Sequence, residues 1–455
     1  MRQNHSFFES VYSLAIPVAL QSMLQSSFSI VDQIMIGQLG SISVAGVGLA
    51  GKFSSIFSVI AAAFGSVAGI MIAQYLGQKN KEEVRRSFLL NLGFALAVAG
   101  IFTIVCALLP MQIMGLYTTD SATLAAAARY LRFLSATFFP MAGAVLLSTL
   151  FRCMEKAALP LYASICAAVA NTGLNYLLIF GKLGFAPMGA DGAAIATVLS
   201  QLLNFLLMLL MYLRHRRSFH AVTGAPAGKT AFHWGQYASI LLPMLACEFL
   251  WSLGENVYAS IYGHLGTEAC AAMTLTNPVQ GLMIGALCGL SQAASVIVGK
   301  LLGNGDTDGA YRASKKLIAY GFAGSAVLSA VLLLTSRFYV MIYQVDDTTR
   351  LLTRQILFAY ALIAPFKVQN MIVGGGILRS GGKTAYVMVI DLIGTWVFGV
   401  PLGLLASFVL GLSIPWVYFI LSLEECVRFV ISIAVLRRRK WMNCLEAGAR
   451  TSITA

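Results

Sequence analysis

Twelve apolar runs follow one another along the chain, each close to the twenty residues that a helix needs to cross a bilayer. They cover approximately 11–36, 50–75, 88–110, 128–150, 160–182 and 190–213, then 234–262, 274–299, 314–336, 352–377, 384–408 and 414–436. Hydrocarbon offers a backbone amide no water to bond, so a run of this length must close its hydrogen bonds within itself, as a helix. Charged residues are 11% of the sequence, against about 25% in soluble domains. The expected fold is therefore an all-α polytopic membrane protein of twelve transmembrane helices. The first run leads into further structure with no Ala-x-Ala-like cleavage site, so no removable signal peptide is expected.

The net charge of +13 would suit a nucleic-acid partner, but its distribution argues against one. Lys79, Lys81, Arg85 and Arg86 share one loop, Arg152 and Lys156 another, and Arg214, Arg216, Arg217 and Lys229 a third. Arg312, Lys315 and Lys316 follow, then Arg379 and Lys383, then Arg437 to Lys440. All of these fall on the side of the two termini. The opposite side has little beyond Lys52, Lys182, Arg337 and Arg350, with Asp120, Asp346 and Asp347. The positive-inside rule then makes both termini cytoplasmic and implies no nucleic acid, only membrane lipid, as a bulk partner. Eight cysteines are scattered without C-x-x-C spacing, and they read as small buried thiols rather than a metal or disulfide set.

The two halves repeat. At a shift of about 226 positions Pro17 falls on Pro243, Gly37 on Gly263, Leu39-Gly40 on Leu265-Gly266, Gly77 on Gly303 and Arg86 on Arg312. One position later in offset, Arg152 meets Arg379 and Lys156 meets Lys383. Six crossings return the chain to its starting side, so the repeats are parallel, related by an axis along the membrane normal, with a cavity expected between them. The domain reading is an N-terminal six-helix lobe over 1–213, a cytoplasmic linker over 214–233, a C-terminal lobe over 234–440 and a cytoplasmic tail over 441–455.

Within the first run, Asp32 and Pro17 stand out. An ionisable group in hydrocarbon costs roughly 2.5–3.5 kcal/mol on insertion scales, so Asp32 must face a cavity or a partner. Pro17 removes a backbone donor and marks a bend or hinge near the start of the helix. Asn171 and Asn175 are four apart and share a helix face, and Thr197 lies one or two turns into the next helix. Together with Asp32 they can sit at one depth, as oxygen ligands for a small cation or as a pocket for a proton. Alternatively, the two asparagines simply bond helices together.

The second half has its own charges. Glu248 and Glu255 project from one face of the seventh run, Lys367 stands beside Pro365, and Asp391 lies in the eleventh run. Glu248 is either a ligand for cationic substrate or coupling ion, or the partner of Lys367. Asp391 is either a cavity residue or the partner of a lysine. Glu424 and Arg428, i and i+4, read as an ion pair near the cytoplasmic end. Gly281, Gly285 and Gly289, and Gly65 with Gly69, read as close-packing stripes, and Gly374 to Gly376 as a soft point. The five histidines lie outside helix cores and H-E-x-x-H is missing, which argues against an intramembrane enzyme.

Several stretches resemble the multidrug and toxic compound extrusion (MATE) family of secondary transporters. They are IPVALQSMLQSSFSIVDQIMIGQLG, IAQYLGQKNKEEVRRS, NTGLNYLLIFG with MGADGAAIATVLSQ, GGGILRSGGKT and EECVRFVISIAVLRRRKW. The resemblance implies a V-shaped two-lobe fold in a bacterial-type cytoplasmic (inner) membrane, acting as a monomer without a cofactor. It implies export of amphipathic, often cationic organic compounds in exchange for H⁺ or Na⁺, coupled through Asp32. Asn171 and Thr197 match the family's first-lobe cation site. Asn175 stands where many members have a second carboxylate, which speaks against a full sodium site and leaves Na⁺ at Asp32 as the one metal to consider. Glu248 matches the helix-7 acid of the NorM-like branch, whereas Lys367, Val368 and Asn370 stand where that branch has a helix-10 acid. Proton coupling through Asp32 is therefore favoured over sodium. A flippase for lipid-linked precursors, from the same superfamily, is the alternative; it would need a more cationic cavity than Lys367, Arg132 and Arg354 provide.

Overall fold

The computed structural model describes residues 2–184, 186–215, 233–341 and 346–446. Most of the expected linker and the end of the expected tail (447–455) lie outside these. Among the described residues all regular structure is helical. The helices are α1 (Arg2–Gly37), α2 (Ser41–Gly77), α3 (Lys81–Leu108), α4 (Ser121–Cys153), α5 (Ala158–Phe180) and α6 (Gly189–Arg214). There follow α7 (Trp234–His264), α8 (Thr267–Gly303), α9 (Thr307–Met341), α10 (Asp347–Leu378), α11 (Thr384–Val409) and α12, in two pieces, Ile414–Ser422 and Glu424–Arg437. Each expected run is found, and seven helices begin five to nine residues before it. Eleven are long and apolar enough to cross a membrane; α12 falls outside that set because it breaks at Leu423 and carries Glu424, Glu425 and Arg428.

Helix starts follow local chemistry. Asp120 and Asp346 are N-caps, accepting from the backbone amides of Thr123 and Thr349 at 2.9 Å each. Hydrogen bonds from Thr123 hold the Asp120 carboxyl below its usual range, and the backbone amide of Thr349, with its hydroxyl, does the same for Asp346. A depressed carboxyl contributes above its unfolded value and is lost only as pH falls through the lower one, so both caps persist into acid. Gly181 closes α5 in the left-handed conformation (φ +64°).

The chain divides into two compact units. One comprises Met1–Ser22, Ala73–Asn80 and Lys229–Ala455, the other Met23–Ile72 and Lys81–Gly228. The division falls inside α1, shortly after Pro17, which lies within an otherwise continuous helix. In the second unit, Phe57 of α2 packs on Phe102 and Phe138 with ring centroids 5.4 and 4.7 Å away. Gly65 and Gly69 admit Val145 and Thr149 of α4, as a small-residue stripe should. In the first unit, buried Ile356, Leu357 and Tyr360 of α10 pack with Ile414 and Tyr418 of α12. Of the expected α8 stripe, Gly289 does close packing, since a Cβ there would stand 1.9 Å from the Ala15 carbonyl oxygen, whereas Gly281 faces open space.

The repeat produces a reciprocal contact inside the first unit. A Cβ on Gly77 would lie 2.1 Å from the Lys300 carbonyl oxygen, and one on Gly303 1.9 Å from that of Gln74. Gln74 and Lys300 are themselves related by the 226-residue shift, so each helix end rests its glycine on the equivalent carbonyl of the other. The segment after α12 docks against this crossing. Trp441 is fully buried, with its backbone carbonyl against Gly381. Gln74, also fully buried, donates to the carbonyls of Ser380 (2.6 Å) and Asn443 (3.1 Å) and accepts from the Leu445 amide (2.7 Å). Gln78 donates to the Leu445 carbonyl at 2.7 Å. The eight cysteines are all free; Cys106, Cys153 and Cys247 are buried as expected, but Cys166 and Cys444 are exposed.

A buried glutamine with three protein partners leaves them unsatisfied when it is removed, and a fully buried tryptophan leaves a cavity. Trp441→Ala is expected to reduce stability by about 3 kcal/mol and Gln74→Ala by about 2 kcal/mol. Thermal unfolding of the purified protein in detergent checks both, with a surface change such as Lys182→Ala as the unaffected reference.

Candidate functional site

Two polar clusters stand out, one in each unit. In the second unit α5 and α6 form a tight hairpin. Gly189 turns with φ +57°, the Met188 amide donates to the Leu178 carbonyl at 2.9 Å, and a Cβ on Gly192 would stand 2.7 Å from that same oxygen. The GADG sequence thus lets α6 approach α5 one turn from Asn175. Across this junction, Asn175 donates to Asp32 of α1 in a short hydrogen bond and lies 3.2 Å from the Asn171 side-chain oxygen. Asn171 donates to the Ser200 hydroxyl at 3.2 Å, and Ser200 to the Thr197 carbonyl at 3.0 Å. The Thr197 hydroxyl bonds back to the Ala193 carbonyl (2.9 Å) and meets the hydroxyl of buried Tyr130, which also lies in the field of Asp32.

The structure therefore brings Asp32, Asn171 and Asn175 into direct contact, with Thr197 one link away through Ser200. Ser200 and Tyr130 escaped the sequence reading. Ser200 follows Thr197 at i+3, a signal that was available; Tyr130 comes from a distant helix and had none. Two features of Asp32 matter chemically. Among the described residues no basic side chain comes within ion-pair distance of it. Asn175 is fully buried, and its side-chain carbonyl oxygen, beside the carboxylate, has no hydrogen-bond partner. A buried acceptor without a donor is uncommon and unfavourable.

The second cluster belongs to the first unit and is held by arginines. Glu248 pairs with Arg379 at 3.2 Å, not with Lys367. Arg379 reaches the Cys247 sulfur at 3.4 Å, and Cys247 donates to Asp391 at 2.8 Å. Asp391 faces Arg428 at 3.7 Å, so its partner is an arginine rather than a lysine. Arg428 also pairs with Glu424 (3.5 Å) and donates to Thr395 in a short hydrogen bond, while Glu424 accepts one from Tyr258. The room for these groups comes from two glycines in a π-helical stretch of α11, Ile393–Gly399. A Cβ on Gly394 would strike Arg428, and one on Gly399 would strike Glu424 and Tyr258. The Gly374–Gly376 stretch expected as a soft point also lies in π-helix, Met371–Leu378, whose Met371 carbonyl is satisfied by Ser291 at 2.7 Å.

The Glu424–Arg428 pair exists, and it is buried. Glu424, Glu425 and Arg428 are 4–7% exposed, and Glu424 and Glu425 line a cavity of about 300 Å³ with Glu255 and Lys367. An i,i+4 spacing announces the pair and says nothing about burial. That came from the neighbouring helices.

With the fold and both clusters in place, the chain can be compared with known proteins. The family model described as MatE matches it twice, over 17–177 and 243–405. The two matches start 226 residues apart, as the internal repeat does. A "Probable multidrug resistance protein NorM" of Brucella suis biovar 1 (strain 1330) is 27% identical over 456 residues, covering 95% of this chain and 93% of that protein. A "Probable multidrug resistance protein YoeA" of Bacillus subtilis (strain 168) is 24% identical over 429 residues, covering 91% and 90%. Among solved structures, one of MATE in the bent conformation superposes with a TM-score of 0.84 at 19% identity, covering 95% of each chain. An outward-facing multidrug resistance MATE family transporter of the MOP superfamily gives 0.85 at 19%, covering 95% and 96%. At these identities the structures establish the fold.

The Asp32–Asn175 contact yields a prediction of its own. Asn175→Leu removes the donor to a partly buried carboxylate and is expected to lower stability by about 2 kcal/mol. In a thermal-unfolding double-mutant cycle, the loss in the Asp32→Asn, Asn175→Leu double variant should fall well short of the sum of the single losses. Additive losses would mean the two side chains do not interact.

Proposed function

Because the chain belongs to the MatE family of multi-pass membrane transporters, we propose that it is a multidrug efflux antiporter of the cytoplasmic membrane, exchanging entering H⁺ for amphipathic organic cations through Asp32. The names of its relatives support multidrug efflux as the activity. One observation carries the coupling residue: the hydrogen bond to Asp32 comes from the Asn175 amide, with no basic side chain within ion-pair distance among the described residues, while Glu248, Asp391 and Glu424 are each met by an arginine. An arginine locks a carboxylate in its charged form, whereas a neutral amide partner leaves it able to take up and release a proton. Asn175, an amide, contributes no second charge to hold Na⁺, which favours the proton.

Pro17 supplies the mechanical link. It interrupts the hydrogen-bond ladder of α1 between the start of the helix and Asp32, and the unit boundary follows it within the same helix. Protonation removes the charge that orders the end of α1 against α5, so the helix bends about Pro17 and releases substrate. The basic loops on the side of the termini support a cytoplasmic location for both ends.

Ethidium efflux from reconstituted vesicles, with proton and sodium gradients imposed separately, tests the reading. A proton gradient alone is expected to drive efflux, and Asp32→Asn to reduce it at least about ten-fold, the scale of losing an essential proton-transfer group. Efflux by Asp32→Asn at the wild-type rate would remove Asp32 from the mechanism, and drive by sodium alone would replace the proton.

A further inference from the structure

The 300 Å³ cavity of the first unit has the size of a small-ligand site, and its walls are polar and aromatic. Tyr262 and Tyr418 stand with ring centroids 6.4 Å apart, and the Tyr418 hydroxyl reaches Gln280 at 3.3 Å. Such walls suit a flat organic cation. What distinguishes the cavity is which of its charges already have partners. Glu424 is held by Arg428 and Tyr258, and Glu425 accepts from Asn370 at 2.8 Å. Glu255 has no ion pair or hydrogen bond among the described residues, and it is exposed to the space. Lys367, on the wall contributed by α10, likewise has no hydrogen bond and no ion pair within 4 Å; it stands in the field of Glu425 and Glu255. A carboxylate and an ammonium, each without a hydrogen bond or a close ion pair among the described residues, thus share one space and each other's field.

We propose that this cavity is a binding site for organic monocations, with Glu255 as the counter-charge, and that Lys367 sets its charge selectivity by opposing a second positive charge on the ligand. The reasoning is Coulombic. A fixed ammonium raises the energy of every positive charge brought into the cavity, and a dication meets that repulsion twice where a monocation meets it once. Lys367 therefore weakens dications more than monocations, whatever the total charge of the surrounding network. This is exclusion by like charge, the repulsive side of specificity. The inference rests on the reading of the chain as an exporter of organic cations, but it concerns a different unit from Asp32.

Ethidium and propidium, which share a ring system and differ by one added quaternary ammonium, form the probe pair. Their equilibrium binding to the detergent-purified full chain is read by fluorescence polarisation, without any gradient. Lys367→Met should raise the propidium-to-ethidium affinity ratio at least about ten-fold, as removal of one charge at close range in a partly desolvated site requires. Lys367→Arg, which keeps the charge, should retain the wild-type ratio, and Glu255→Gln should weaken both dyes. An unchanged ratio in Lys367→Met would overturn the proposal, as would a ratio that also rises in Lys367→Arg, or ethidium binding indifferent to Glu255. Asp32→Asn is expected to leave the ratio untouched, so failure of the proton mechanism and failure of this site give different results.

Discussion

A charge held within hydrocarbon must be answered by another group of the same chain, because no water is there to answer it. Most of the buried ionisable groups obey this directly. Glu248, Asp391 and Glu424 share Arg379 and Arg428 in a chain of contacts that joins α7, α10, α11 and α12. Such networks are of uncertain net value for stability, because desolvation offsets much of the attraction, but breaking one partner leaves the other stranded. Their firm consequence is geometric. Glycines at positions 394 and 399 are needed so that Arg428 and Glu424 can enter, and the π-helical turn sets those glycines on the right face.

Asp32 answers the same constraint differently. Its hydrogen bond comes from the neutral Asn175 amide, and no basic side chain pairs with it among the described residues. A carboxylate locked to an arginine serves structure; one solvated by amides can change its charge. Glu425, met by the Asn370 amide, and Glu255 are carboxylates of the first unit that also have no arginine within ion-pair distance among the described residues, so the contrast sets Asp32 with these two apart from Glu248, Asp391 and Glu424. Lys367 is a third case, an ammonium left in a cavity without a direct partner, and its presence shapes what else that cavity can accept.

The repeat has consequences beyond symmetry of sequence. Gly77 and Gly303 are equivalent positions, and each lies on the carbonyl preceding the other by three residues in the equivalent frame. The contact is so close that any side chain at either position would separate the helices. Gln74 then gathers the segment after α12 onto the same crossing, a role for a polar residue near a helix end that joins parts of the chain 371 residues apart.

The sequence by itself determined the number and placement of the helices, the repeat, and the residues that could meet around Asp32. Those features are local: apolar length follows from bilayer thickness, and the i,i+4 spacing of Asn171 and Asn175 fixes a shared face on any helix. Glycines at the repeat offset, such as Gly77 and Gly303, likewise announced helix ends. The partners of Glu248 and Asp391, the burial of Glu424 with Glu425, the contribution of Tyr130 and the docking of Trp441 were decided only by tertiary structure. Each depends on which helices pack together and on their rotation about their own axes, and the π-helical stretches of α10 and α11 alter that rotation. A carboxylate in an apolar run must find a partner; which of several arginines or lysines it finds is settled by the side chains, and the missing side chains of glycines, that set helix against helix.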